Sequence, residues 1–163
     1  MEEYEVKLRK YNQNIEIGGA AIIIFGLWSV FKLVIQISLG MIDLLEGITV
    51  AEADKPLVDI VIFFIAFIFA ISIILFHFLV GRGAIRYSRG RKNKRGFVFW
   101  CWIMLIITII SILQYPAAFK GETEIETLIA SFFVDLTMAY SIFDILFSYG
   151  HEKRLRKRMD KGA

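Results

Sequence analysis

Four runs of apolar residues, each long enough to cross a bilayer and each bounded by charged blocks, limit this chain to very few architectures. They cover residues 18–42, 57–80, 97–116 and 128–149. A spanning helix needs about 20 apolar residues. Inside lipid, every backbone N–H and C=O must be satisfied within the segment or in a closed barrel. The runs lack the alternating ten-residue pattern of a barrel strand, so helices are expected. With 57% hydrophobic residues and a mean hydropathy of +0.62, the chain is too apolar for an ordinary soluble domain. The predicted fold is an all-α integral membrane protein, a four-transmembrane-helix bundle forming one membrane domain over residues 1–163.

Charge is segregated between the runs. Lys7, Arg9 and Lys10 precede the first. The connection 81–96 carries Arg82, Arg86, Arg89, Arg91, Lys92, Lys94 and Arg95 and no acid, and the tail 150–163 carries Lys153, Arg154, Arg156, Lys157, Arg158 and Lys161 beside Glu152 and Asp160. The other two connections hold Asp43, Glu46, Glu52, Asp54, Glu122 and Glu124. The positive-inside rule then places both termini and the basic loop in the cytoplasm. The expected location is the plasma (inner) membrane, multi-pass. The opening Met1-Glu2-Glu3 lacks the basic region of a cleavable signal, so the first span reads as a retained anchor.

Local signals refine this outline. Tyr4, Leu8, Tyr11 and Ile15 recur at helical spacing, which predicts an amphipathic helix that lies at the inner interface and runs into the first span. Thr49 to Glu52 and Thr123 to Glu126 fit capping boxes, and Asp54 before Pro56 fits a helix start. The fourth helix should therefore begin near Glu124. Gly150 reads as its stop. Phe97, Phe99, Trp100, Trp102 and Tyr149 are expected as inner-interface anchors and Tyr115 as an outer one.

Four charges fall within the apolar runs, Asp59 at the edge of its run and Lys32, Asp135 and Asp144 further in. A lysine near the bilayer centre costs about 2.5–3.5 kcal/mol on insertion scales, so it needs a partner. Lys32 shares one helical face with Gly18, Ile22, Ser29, Gln36, Gly40, Asp43 and Gly47, a polar and small-residue stripe suited to helix contact. Lys32 and Asp135 lie at similar depths, ~13 and ~12 Å from the outer ends of their runs at 1.5 Å per residue. They are the expected intramembrane ion pair. Asp144 falls on another face with Thr137, Tyr140, Ser141 and Ser148, nearer the inner end. His77 lies at a similar inner depth, and Arg82 or Arg86 is within reach of that level. Asp144, His77 and Tyr140 are accordingly the candidate proton or ion site.

No enzyme signature is present. HExxH, GxSxG, a cysteine pair and His-carboxylate clusters at metal spacing are all missing from the sequence. No catalytic residue, cofactor or metal is expected, and Cys101 reads as a small buried apolar residue. Arg82, Arg86, Arg89, Arg91, Lys92, Lys94 and Arg95 are expected to bind anionic lipid headgroups at about 1 kcal/mol each, not nucleic acid. The reading is a non-catalytic accessory or scaffold subunit that meets other membrane helices, either a partner protein or a second copy. The alternative is a small ion- or proton-coupled transporter or channel using Lys32, Asp135 and Asp144.

Overall fold

The computed structural model describes residues 2–38, 55–90, 96–118 and 125–162. They form four helices, α1 (Glu2–Ser38), α2 (Lys55–Ser88), α3 (Gly96–Ala118) and α4 (Ile125–Gly162). Each carries a stretch long and apolar enough to cross a membrane: Glu3–Ile35, Ile60–Ser88, Gly96–Pro116 and Leu128–Met159. Pro56 falls in the first turn of α2, where its missing N–H would have no helical partner. Gly90 closes the same helix. It adopts φ 76°, and its N–H donates to the Tyr87 carbonyl at 3.0 Å, a left-handed cap that a side chain would strain. The fourth helix starts at Ile125, next to the expected Glu124. Thr49 to Glu52, Asp54, Thr123 and Glu124 themselves lie outside the described residues.

Consecutive helices run antiparallel, so the start of α1, the end of α4 and the α2–α3 connection share one end, the basic end. Packing is closed around a ring. α1 lies against α2 and α4, α3 lies against α4, and α3 touches α2 more lightly. The core fills the half nearer the basic end with Ile15, Ile22, Val80, Ala84, Phe97, Cys101, Met104, Leu105, Ile142 and Ile145. The far half of α2 contributes little to it. Phe63, Phe64, Phe67 and Phe69 are all exposed there, the surface expected of a helix bathed in lipid.

The α1–α2 crossing is set by glycine. A Cβ on Gly19 would sit 2.8 Å from the Gly81 carbonyl oxygen and 3.0 Å from Ala84 Cβ. A Cβ on Gly81 would collide in turn with the Gly19 carbonyl. One heptad along, Gly26 leaves room for His77, whose Cβ would be 2.6 Å away from an added methyl. Small residues let the two backbones touch, as membrane helices require in the absence of a hydrophobic driving force.

The amphipathic stretch at the start of α1 runs into the first span without a break, as one helix from Glu2 to Ser38. On its stripe, Ile15 is fully buried and the Tyr11 ring lies 5.5 Å from the His151 ring. Gly150 does not stop α4, and that expectation is corrected. The helix continues to Gly162, and Gly150 has no positive φ. The α1 stripe gives α4 a surface to pack on, so the glycine costs propensity without ending the helix.

Candidate functional site

The intramembrane charges converge on one carboxylate. Asp135 Oδ2, on α4, accepts from Lys32 Nζ of α1 at 2.8 Å and from the Tyr115 hydroxyl of α3 at 2.7 Å. Lys32 Nζ is also 3.4 Å from that hydroxyl. Asp135 keeps 7% of its side chain exposed and Lys32 22%, so water screens the pair little. Phe132 packs edge-on to Tyr115 at 5.5 Å, and Ser131 is buried on the same side of α4. Three helices are thus joined through one acceptor oxygen. The phenol matters because a lone ion pair in lipid leaves lone pairs unsatisfied, and each such group costs about 1–3 kcal/mol.

Tyr115 had been expected as an interface anchor and is instead 8% exposed. Its depth could have revealed it, since it is the last hydroxyl of α3 and falls beside the outer half of α4. Tyr115→Phe should lower stability by about 1 kcal/mol, the net worth of one hydrogen bond with its acceptor still held by lysine. Thermal unfolding in detergent micelles checks this.

A second polar cluster closes the basic end. Glu152 of α4 is fully buried. It accepts from the Tyr87 hydroxyl of α2 at 2.5 Å and pairs with Arg156 one turn later. Arg89 holds Glu16 of α1 with two nitrogens, at 2.7 and 2.9 Å. The rings of Tyr87, Phe97 and Tyr149 stack mutually within 5.3–5.9 Å. None of these links was anticipated. The one available signal was an acid, Glu152, directly after the aromatic end of an apolar run.

Between the clusters lies an apolar layer. Ile22, Met104, Leu105, Ile142 and Ile145 are each at most 8% exposed. Two hydroxyls beside this layer are spent on their own helix: Thr108 donates to the Met104 carbonyl and Ser29 to the Phe25 carbonyl.

No hydrogen bond or ion pair joins His77, Asp144 and Tyr140, the residues grouped as a proton or ion site, among the described residues. His77 is 8% exposed, faces α1 at Gly26, and hydrogen-bonds the Ile73 carbonyl through Nδ1 at 2.8 Å. Its Nε2 is buried without a described partner. Asp144 and Tyr140 lie on α4, with Tyr140 70% exposed and Asp144 half-buried. Thr137 and Ser141, the other hydroxyls of that face, bond the Phe133 and Thr137 carbonyls.

Asp144 is also shallower than its run implies. Gly18 packs on Ile145, and Gly19 packs on Gly81. Asp144 therefore shares a level with Arg82 and with the start of the apolar part of α1. Arg82 and Arg86 are exposed at this edge, and Arg82 lies 5.6 Å from the Phe78 ring centre. Arg91, Lys92, Lys94 and Arg95 lie outside the described residues. Cys101 is fully buried in the core. No group of three His, Cys, Asp or Glu at metal-binding distance occurs among the described residues. Comparison with models of known families, with curated proteins and with solved structures returned no match.

Proposed function

We propose that this chain is a non-catalytic accessory or scaffold subunit of the plasma membrane, with both termini in the cytoplasm. One observation carries the reading. The charges deep in the apolar belt, Lys32 and Asp135, neutralise each other through a network shared with Tyr115. Ion and proton pathways need polar groups that stay available to a passing charge and that succeed one another along the bundle. Here the network is closed, and the Ile22, Met104, Leu105, Ile142 and Ile145 layer separates it from Glu152. A bundle whose deepest charges are paired with each other suits a protein that presents surfaces. Arg82 and Arg86, exposed at the basic edge, hold anionic headgroups and fix its depth.

The test is flux. The purified protein is reconstituted in liposomes, and proton and potassium movement are followed under imposed gradients. Wild type, Lys32→Met and Asp144→Asn should all match empty liposomes. Wild-type flux that either substitution abolishes would overturn the scaffold reading in favour of a small coupled transporter.

A further inference from the structure

The continuation of α4 past Gly150 puts the basic tail somewhere other than on the membrane surface. Gly18, Ile145 and Gly81 mark one level, where the apolar stretch of α1 begins and that of α2 ends. From that level α1 runs back ~24 Å to Glu2 and α4 runs on ~25 Å to Gly162, at 1.5 Å per residue. The two helices extend side by side for nearly the same length. Ile15 and Glu152 are fully buried where they leave the bundle, Tyr11 meets His151, and Leu8 and Leu155 are both half-buried beyond. Headgroups occupy about 5–7 Å on each side of the hydrocarbon. Lys153 to Arg158 stand ~12–20 Å past the marked level. A helix tilt of about 40°, the upper end for membrane helices, still leaves them beyond the headgroups.

On this stem Lys153, Arg154, Lys157 and Arg158 are exposed, and none pairs with an acid among the described residues. Arg156, between them, points elsewhere and is occupied by Glu152. Lys153 with Lys157 and Arg154 with Arg158 form two i,i+4 rows on neighbouring faces. The result is a two-by-two grid of cations repeating every ~6 Å along the helix.

We propose that this grid is a docking surface for an acidic helix of a protein in the aqueous phase. The proposal rests on the accessory reading and names its partner class. Carboxylates at i,i+4 on a partner helix repeat at the same ~6 Å, so a side-by-side helix pairs with both rows at once. Nucleic acid fits less well, because the described stem residues from Lys153 to Arg158 include no aromatic on which a base could stack.

The full-length protein in phosphatidylcholine nanodiscs is titrated with two labelled alanine-rich helical peptides of equal composition. One carries glutamates in i,i+4 rows, and the other has them spread around the helix. The arrayed peptide should bind at least tenfold more tightly. Combined Lys153→Gln, Arg154→Gln, Lys157→Gln and Arg158→Gln should remove that difference while leaving helicity and monodispersity unchanged. Equal binding of the two peptides, or arrayed binding that survives the fourfold variant, would overturn the proposal. So would stronger binding of single-stranded RNA at the same salt. A spin label at position 157 should stay accessible to aqueous relaxation agents when phosphatidylserine is added, and its immersion would assign the grid to lipid. The liposome flux assay is independent of these outcomes. Docking with flux leaves the grid and discards the scaffold, whereas neither docking nor flux does the reverse.

Discussion

Gly81→Leu should cost about 3 kcal/mol or more and leave the bundle unable to close. Overpacking a well-filled site usually costs about 1–3 kcal/mol because side chains can shift rotamer. Here the obstructing atom is the Gly19 carbonyl oxygen, which cannot rotate away without breaking α1. Ile23 occupies the remaining space. The helices must separate, and His77, seated against Gly26, loses its cover on the same face. Gly81→Ala meets the same carbonyl and should already destabilise. Gly150→Ala is the control of opposite sign. Nothing lies within 4 Å of a Cβ there, and α4 is helical through it, so alanine should stabilise by up to about 1 kcal/mol on helix propensity. Thermal unfolding in micelles, with size exclusion to detect aggregation, reads all three. A Gly81→Leu protein as stable as wild type would mean that α2 does not pack on α1 at this crossing.

The four helices were legible because their signal is compositional: a run of 20 apolar residues says helix in lipid whatever its neighbours do. Depth was legible too, since it grows linearly with residue number along a helix. That is how Lys32 and Asp135, which lie 2.8 Å apart, could be matched from opposite ends of the chain. Lateral arrangement was not legible. Nothing in the residue count says that His77 seats against Gly26 of α1, or that Tyr115 turns inward when Tyr149 takes part in the ring cluster of the basic end. The end of α4 misled for a different reason. Gly150 carries a local signal for a stop, and it is overridden because Tyr11 and Ile15 of α1 give the end of α4 a surface to pack on. The glycines at 19, 26 and 81 look like neutral members of apolar runs until a second backbone is placed against them.

Removing either charge of the central network should hurt far more than removing both. Lys32→Met leaves the Asp135 carboxylate buried with a single phenol, and Asp135→Leu leaves an ammonium with no counter-ion. Breaking a buried pair from one side typically costs about 3–5 kcal/mol, whereas replacing both partners by apolar residues of similar size is often neutral. The double variant should therefore recover most of the loss, with a coupling energy of about 2–3 kcal/mol between the sites. Recovery should stop short of wild type because the Tyr115 hydroxyl then loses its bond to Asp135 and keeps the one to Ser131. That residue supplies the internal check. On the wild-type background Tyr115→Phe costs about 1 kcal/mol, and on the double-variant background it should cost less, since the Asp135 bond it would remove is already gone. Additive losses from Lys32→Met and Asp135→Leu would show that each residue is stabilised by something other than its partner. In that case the network would not be what joins α1 and α3 to α4.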